Sequence, residues 1–170
     1  GIGGRLVDIK NHDLFLRAFA QVKTHSDKKI QAYIIGDGEL REKLTLLCHK
    51  LGLSTSSAPG IEAEADVNFT SWIKNIDWAF AGLDIAALTS RNEGTPVSLI
   101  EAQAANTPIV TTNVGGIENV VIPDKTALLA KNGNLAEFSD ALLRLVKDDN
   151  LRKNMESEGW PFVKEKFNYT

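Results

Sequence analysis

The sequence predicts an α/β fold, a parallel sheet of about six strands sandwiched by helices. Two observations predict it. Short apolar runs alternate with segments of helical period along nearly the whole chain. The short runs are continuously apolar, as strands buried on both faces are, where half-buried strands would alternate. Such Rossmann-like sheets bind ligands beyond the carboxyl ends of their strands, so the loops after each strand are where function is sought.

The elements follow in order. GIGGRLV is the end of a buried strand, cut short at its start. HDLFLRAFAQVK places Leu14, Phe15, Ala18, Phe19 and Val22 on one helical face. IQAYIIG is a strand, and GELREKLTLLCHKLG an amphipathic helix with Leu40, Leu44, Leu47, Cys48 and Leu51 inward and Gly52 as its stop. STSSAPGIEAEAD, residues 54–66, has no period and reads as a loop without an assigned role. VNF is a short strand, IKNIDWAFAGL a helix and DIAALT a strand. A helix begins near Thr95-Pro96, with Thr95 as N-cap and Pro96 at the first helical position. PIVTT is the next strand, GIENVVI a short helix, ALLA a short strand and LAEFSDALLRLVKD a helix. The tail NLRKNMESEGWPFVKEKF continues helical, with an interruption expected near Gly159 and Pro161.

Composition narrows the function. With 170 residues, 43% hydrophobic, the chain is read as one domain, residues 1–170, with a sizeable core. A formal charge of -3 gives no electrostatic case for nucleic acid. No apolar run approaches the roughly 20 residues that span a bilayer. Cys48 stands alone, which points to a reducing compartment and a cytoplasmic setting. His12, His25 and His49 show no metal-ligand spacing with each other or with Cys48. Asn68-Phe69-Thr70 and Asn168-Tyr169-Thr170 match the glycosylation sequon; without a secretory signal both read as chance. The start, without Met and with a clipped strand, reads as an excised domain.

The segment RNEGTPVSLIEAQAANTPIV carries the most information. Its run from Pro96 to Ala105 is nearly all apolar or small, yet it holds Glu101. An unpaired carboxylate on a buried helix is costly, so it needs a partner. The free N–H groups at the start of that helix, near Val97 and Ser98, favour an anion such as phosphate. Glu101 lies one turn further on the same side, which suits a neutral diol such as the two hydroxyls of a ribose. The competing reading is a buried ion pair with Arg or Lys. Arg5 and Lys10 follow the first strand and lie on the same rim, where two cations would neutralise a diphosphate. Each taken singly also reads as a solvated surface cation. Gly36 and Gly38 lie between a strand and a helix and allow close approach of backbone or ligand, but Arg41 stands where a dinucleotide fingerprint has its third glycine.

GRLVDIKNHDLFLRAF, IIGDGELREKL, VNFTSW and SRNEGTPVSLIEAQAANTPIVTTNVGGIENVV together resemble the carboxy-terminal, donor-binding half of a retaining GT-B glycosyltransferase, of the group called family 4 or group 1. The resemblance covers nearly the whole chain. Its most specific part is the pair Glu93 and Glu101, seven residues between them, followed by TTNVGG. It implies that Arg5 and Lys10 hold the donor diphosphate, that Glu93 contacts the transferred sugar, and that Glu101 grips the ribose. It implies that the backbone of Gly94, Thr95, Val97 and Ser98 meets the sugar and phosphates, and that the loop Phe69–Trp72 holds the base.

The implied reaction moves a hexose or N-acetylhexosamine from a UDP- or GDP-sugar with retention, with no metal or other cofactor. An amino-terminal acceptor domain is absent from the chain, which is expected to be inactive alone. Association with the inner face of a membrane through that half stays open. Four departures from the family pattern stand out: Pro96 lacks an N–H, Asn11 and Ser71 occupy places where glycine is common, and the loop 54–66 is longer than usual. A non-catalytic nucleotide or sugar-nucleotide binding module is the alternative. A dinucleotide-dependent oxidoreductase is disfavoured by the failed glycine fingerprint.

Overall fold

The computed structural model describes residues 1–57 and 65–167. Residues 58–64, most of the segment read as a loop, and 168–170, with the second sequon, lie outside the described residues. The strands are β1 (Ile2–Gly3), β2 (Ala32–Ile35), β3 (Thr55–Ser56), β4 (Val67–Ser71), β5 (Ala86–Leu88), β6 (Ile109–Thr112) and β7 (Ala127–Ala130). They form one sheet of order β3-β4-β2-β1-β5-β6-β7, and every pairing is parallel. The seventh strand beyond the expected six is β3, whose two residues were read as loop. No apolar run marks so short an edge strand; it exists because Thr55 and Ser56 pair with Val67 and Asn68.

The helices are α1 (His12–His25), α2 (Arg41–Lys50), α3 (Ile76–Ala81), α4 (Val97–Ala104), α5 (Leu135–Lys147) and α6 (Asp149–Phe167). Two cores result, one on each face of the sheet. Leu14, Phe15, Phe19, Leu44, Phe138 and Leu145 fill the first, and Phe80, Leu99, Ile100, Ile117 and Val163 the second. Strand side chains alternate between them: Ile109 faces the second core and Val110 the first. Cys48 is a buried core residue. Asn68 is also buried, in β4.

Several elements differ from the expectation. Of IKNIDWAFAGL only Ile76–Ala81 is helical, and GIENVVI forms only a 3-10 turn, Ile117–Asn119. Thr95 does not cap α4. Pro96 does, with an extended ψ of 93°, and Val97 is the first helical residue. The tail is not broken: α6 runs through Gly159 and Pro161. Packing overrides the local breakers here. A Cβ on Gly159 would lie 2.8 Å from the Gln103 carbonyl oxygen, so the glycine lets α6 press against α4. At that point the Trp160 N–H donates to Asn106 Oδ1, 3.1 Å away.

The order in which strands are added reverses at the centre of the sheet. From β1 the chain grows outward through β2 to β4 and β3, then returns to place β5 beside β1 and grows the other way. Such a switch point leaves a crevice at the carboxyl ends of the two central strands.

His12 opens α1 and is 1% exposed, with neither ring nitrogen hydrogen-bonded among the described residues. Burial, with the charge of Lys10 adding to it, pushes its pKa from 6.5 down to about 4. A lowered folded-state pKa gives stability that is full above 6.5 and lost as pH falls towards 4. The loss expected from this one group is about 3 kcal/mol. Urea melts of the wild type and His12→Leu across that range check this: the variant's stability should depend less on pH. Equal slopes in the two proteins would contradict it.

Candidate functional site

The crevice is a cavity of about 310 Å³ walled by Gly3 and Gly4 at the end of β1, by Trp72, Ile73, Ile76 and Phe80 on one side, and by Glu93, Thr95, Val97, Ser98 and Glu101 on the other. Lys10 reaches into it from the first loop. Two larger hollows, of about 520 and 440 Å³, lie around Gly1 at the amino ends of the strands and between α1 and α2. Neither holds Glu93 or Glu101. The chemistry therefore selects the smaller cavity.

Lys10 Nζ and Glu93 Oε1 are 2.6 Å apart, joining the loop after β1 to the loop after β5. The same carboxylate oxygen accepts from Ser90 Oγ at 2.6 Å. The ion pair weighed for Glu101 is thus made by Glu93. Among the described residues no Lys or Arg pairs with Glu101. Burial, and secondarily the negative charge of Asp77, raises the Glu101 pKa above its usual value. Glu101 is thus a partly exposed carboxylate on the cavity wall, with no cation beside it among the described residues.

Of the sequence-predicted residues, Lys10, Glu93, Thr95, Val97, Ser98 and Glu101 meet in this cavity. Arg5 is exposed on the same rim, outside the lining. Gly94 is also exposed and outside it. A helix start leaves the first N–H groups, those of Val97 and Ser98, without intrahelical acceptors. In the Phe69–Trp72 loop, Phe69 is 1% exposed and belongs to the core, whereas Trp72 is 64% exposed and lines the cavity.

Sequence reasoning missed the backbone contacts that build the site. A Cβ on Gly115 would fall 2.0 Å from the Glu93 carbonyl oxygen, and one on Gly116 at 2.0 Å from that of Gly94. The Gly116 N–H donates to the Glu93 carbonyl at 3.0 Å. The glycines of TTNVGG therefore let the loop after β6 lie directly on the loop that carries Glu93. Ser90 and Arg91 were missed as well. Their signal was adjacency to Glu93, which carries no weight without the fold. Arg41, which breaks the glycine fingerprint, donates to Ser71 Oγ at 2.7 Å and lies 5.7 Å from the Phe69 ring centroid.

The family model described as glycosyl transferases group 1 matches residues 2–160. The chain belongs to this family. A curated relative, D-inositol 3-phosphate glycosyltransferase of Corynebacterium jeikeium, is 32% identical over 161 residues, covering 89% of this chain and 36% of the relative. Among solved structures, TarM of S. aureus, in complex with fondaparinux, alpha-GlcNAc-glycerol and UDP, superposes with a TM-score of 0.84 at 22% identity. The match covers 98% of this chain and 32% of TarM. The carboxy-terminal domain of the group 1 protein LpcC from Francisella tularensis gives 0.81 at 22% identity, covering 98% of this chain and 85% of that one. The fold is that of GT-B glycosyltransferases. The chain spans little more than a third of the first curated relative's length.

Membership in the family gives meaning to two of the departures. Asn11 has φ 51° and Ser71 φ 58°, both in the left-handed region where glycine is unstrained. Asn11 tolerates it as asparagines do. Ser71 is tied in place, its carbonyl accepting from the Gly36 N–H at 3.0 Å and its hydroxyl from Arg41.

A raised folded-state pKa means that the fold favours protonated Glu101. That stability is full below the ordinary value of 4.5 and lost as pH rises through the raised one. At pH 7 the ionised carboxylate is a burden. Glu101→Gln is expected to melt above the wild type at pH 7, with the gap closing as pH falls towards 4.5. Differential scanning calorimetry at the two pH values decides it. Earlier melting of the variant at pH 7 would mean that the carboxylate supports the fold.

Proposed function

We propose that this chain is the carboxy-terminal, donor-binding domain of a retaining glycosyltransferase that moves a hexosyl or N-acetylhexosaminyl group from a nucleotide-diphosphate sugar to an acceptor. One observation carries the reading. A single cavity at the strand switch point gathers a cation, a helix amino end and two carboxylates in different electrostatic states. A nucleotide-diphosphate sugar asks for such a set: positive charge for the diphosphate, and acceptors for two groups of hydroxyls.

Roles follow from position. Lys10 and the N–H groups of Val97 and Ser98 meet the diphosphate and stabilise it as it leaves. Arg5 joins them by swinging in from the rim when the anion is bound. Glu101 has no cation among the described residues, which leaves its carboxylate to accept from the ribose hydroxyls. Glu93 and the backbone at Gly94 and Thr95 take the transferred sugar. Trp72 offers its face at the cavity mouth, where the base would lie. Charge neutralisation comes from the chain's own groups, and we propose that no metal is required. The UDP in the TarM complex makes UDP the first nucleotide to test, ahead of GDP.

Acceptor binding belongs, on this reading, to an amino-terminal domain outside the chain, so these 170 residues bind donor without transferring sugar. A cytoplasmic setting goes with it, at the inner membrane face where that other half attaches peripherally. Among the described residues no helix is long and apolar enough to cross a membrane.

The Lys10–Glu93 pair must open before Lys10 can serve the diphosphate. Lys10→Ala is expected to weaken UDP by roughly 1.5–3 kcal/mol, the range for hydrogen bonds to charged groups, and to leave uridine nearly unchanged. Glu101→Gln should weaken both, because both carry the ribose. Glu93→Gln should tighten UDP roughly two- to fivefold, the worth of a partly exposed ion pair, while lowering turnover sharply in the full-length enzyme. Calorimetric titration of the three variants with UDP and uridine tests the assignment. Equal losses for UDP and uridine in Lys10→Ala, or a loss of UDP in Glu93→Gln, would refute it.

A further inference from the structure

Lys10 sits on a single 3-10 turn, Asp8–Lys10, that no side chain caps. So short a turn has little stability of its own. Yet it has to hold one ammonium group at the cavity. What holds it comes from the other side of the switch point. Thr89 Oγ1 donates to the Lys10 carbonyl at 2.9 Å, and the Arg91 N–H donates to the Ile9 carbonyl at 2.9 Å. The Arg91 guanidinium then donates to the Asp8 carbonyl at 2.9 Å and to Asn11 Oδ1 at 3.3 Å.

The three consecutive carbonyls of the turn are therefore all gripped by the two residues Thr89 and Arg91, which follow β5. Asn11, the left-handed residue that ends the turn and starts α1, is held by the same guanidinium. A planar fork can bridge two acceptors on adjoining segments in a fixed geometry, which a lysine ammonium cannot reproduce. Arg91 does not line the donor cavity. Any effect it has on the donor runs through the turn.

We propose that Arg91 is a positioning residue for Lys10, fixing the Asp8–Asn11 turn so that Lys10 Nζ is presented to the diphosphate and, without ligand, to Glu93. The ligand-binding half of this proposal rests on the function proposed above. The ligand-free half does not. Arg91 differs from the charged residues inside the cavity in that it acts on a neighbour's geometry.

The experiment is a double-mutant cycle read by calorimetry with UDP and uridine, joined to a ligand-free measurement. Arg91→Ala should weaken UDP about tenfold and uridine hardly at all. Arg91→Lys should recover only part of the loss. In a Lys10→Ala background, Arg91→Ala should have no further effect on UDP, because the group it positions is gone. In the ligand-free chain, the side-chain nitrogen resonance of Lys10 should show the Glu93 ion pair in the wild type and lose it in Arg91→Ala. Full recovery by Arg91→Lys, or an undiminished Arg91→Ala loss in the Lys10→Ala background, would show a direct charge effect and overturn the proposal. So would an unchanged Lys10 resonance in Arg91→Ala. Failure of the wild-type chain to bind UDP or GDP at all would count against the proposed function alone, since the resonance measurement stands without a nucleotide.

Discussion

Backbone has to touch backbone where β1 and β5 end, and the site depends on that contact. Gly36 lies against the Gly4 carbonyl, Gly115 against that of Glu93 and Gly116 against that of Gly94, each closer than any side chain allows. The loops after β1, β2, β5 and β6 are thereby drawn to one point. Residues distant in sequence, such as Lys10 and Glu93, become partners at 2.6 Å. Without these glycines the loops would stand apart and the crevice would be an open notch between strands.

Electrostatics then divides the two glutamates. Glu93 is neutralised by Lys10 and held by Ser90. Glu101, on α4, has no such cation among the described residues, and burial raises its pKa. Burial makes the ionised form of Glu101 less favourable than it would be in water. On the proposed function, the hydroxyls of a bound donor would be its hydrogen-bond partners. Resting neutralisation of Lys10 by Glu93 also keeps the empty cavity free of an unpaired ammonium.

Much of this was legible in the sequence. The strand–helix alternation predicted the parallel sheet, because strands buried on both faces are apolar throughout. The face of α1 carrying Leu14, Phe15, Ala18, Phe19 and Val22 is buried as read. What stayed illegible depends on distant contacts. The pairing of Thr55 and Ser56 with β4 leaves no local trace. Gly159 and Pro161 looked like breakers because the pressure of α4 on α6 cannot be seen from local propensity. The spacing of Glu93 and Glu101 could be read, but which of them meets a cation could not, since that partner comes from the opposite end of the chain. Arg91 was invisible for the same reason, while Ser90, three residues from Glu93, has a local partner that adjacency alone does not single out. The roles of the site residues rest on resemblance and geometry together, and a bound nucleotide is what joins them.

A crystal structure of the chain with UDP addresses the central claim most directly. The account predicts the diphosphate within hydrogen-bonding distance of Lys10 Nζ and the Val97 and Ser98 N–H groups, the ribose hydroxyls on the Glu101 carboxylate, and the Lys10–Glu93 pair opened. UDP bound in the groove between α1 and α2, or in the switch-point cavity with its ribose away from Glu101, would contradict it.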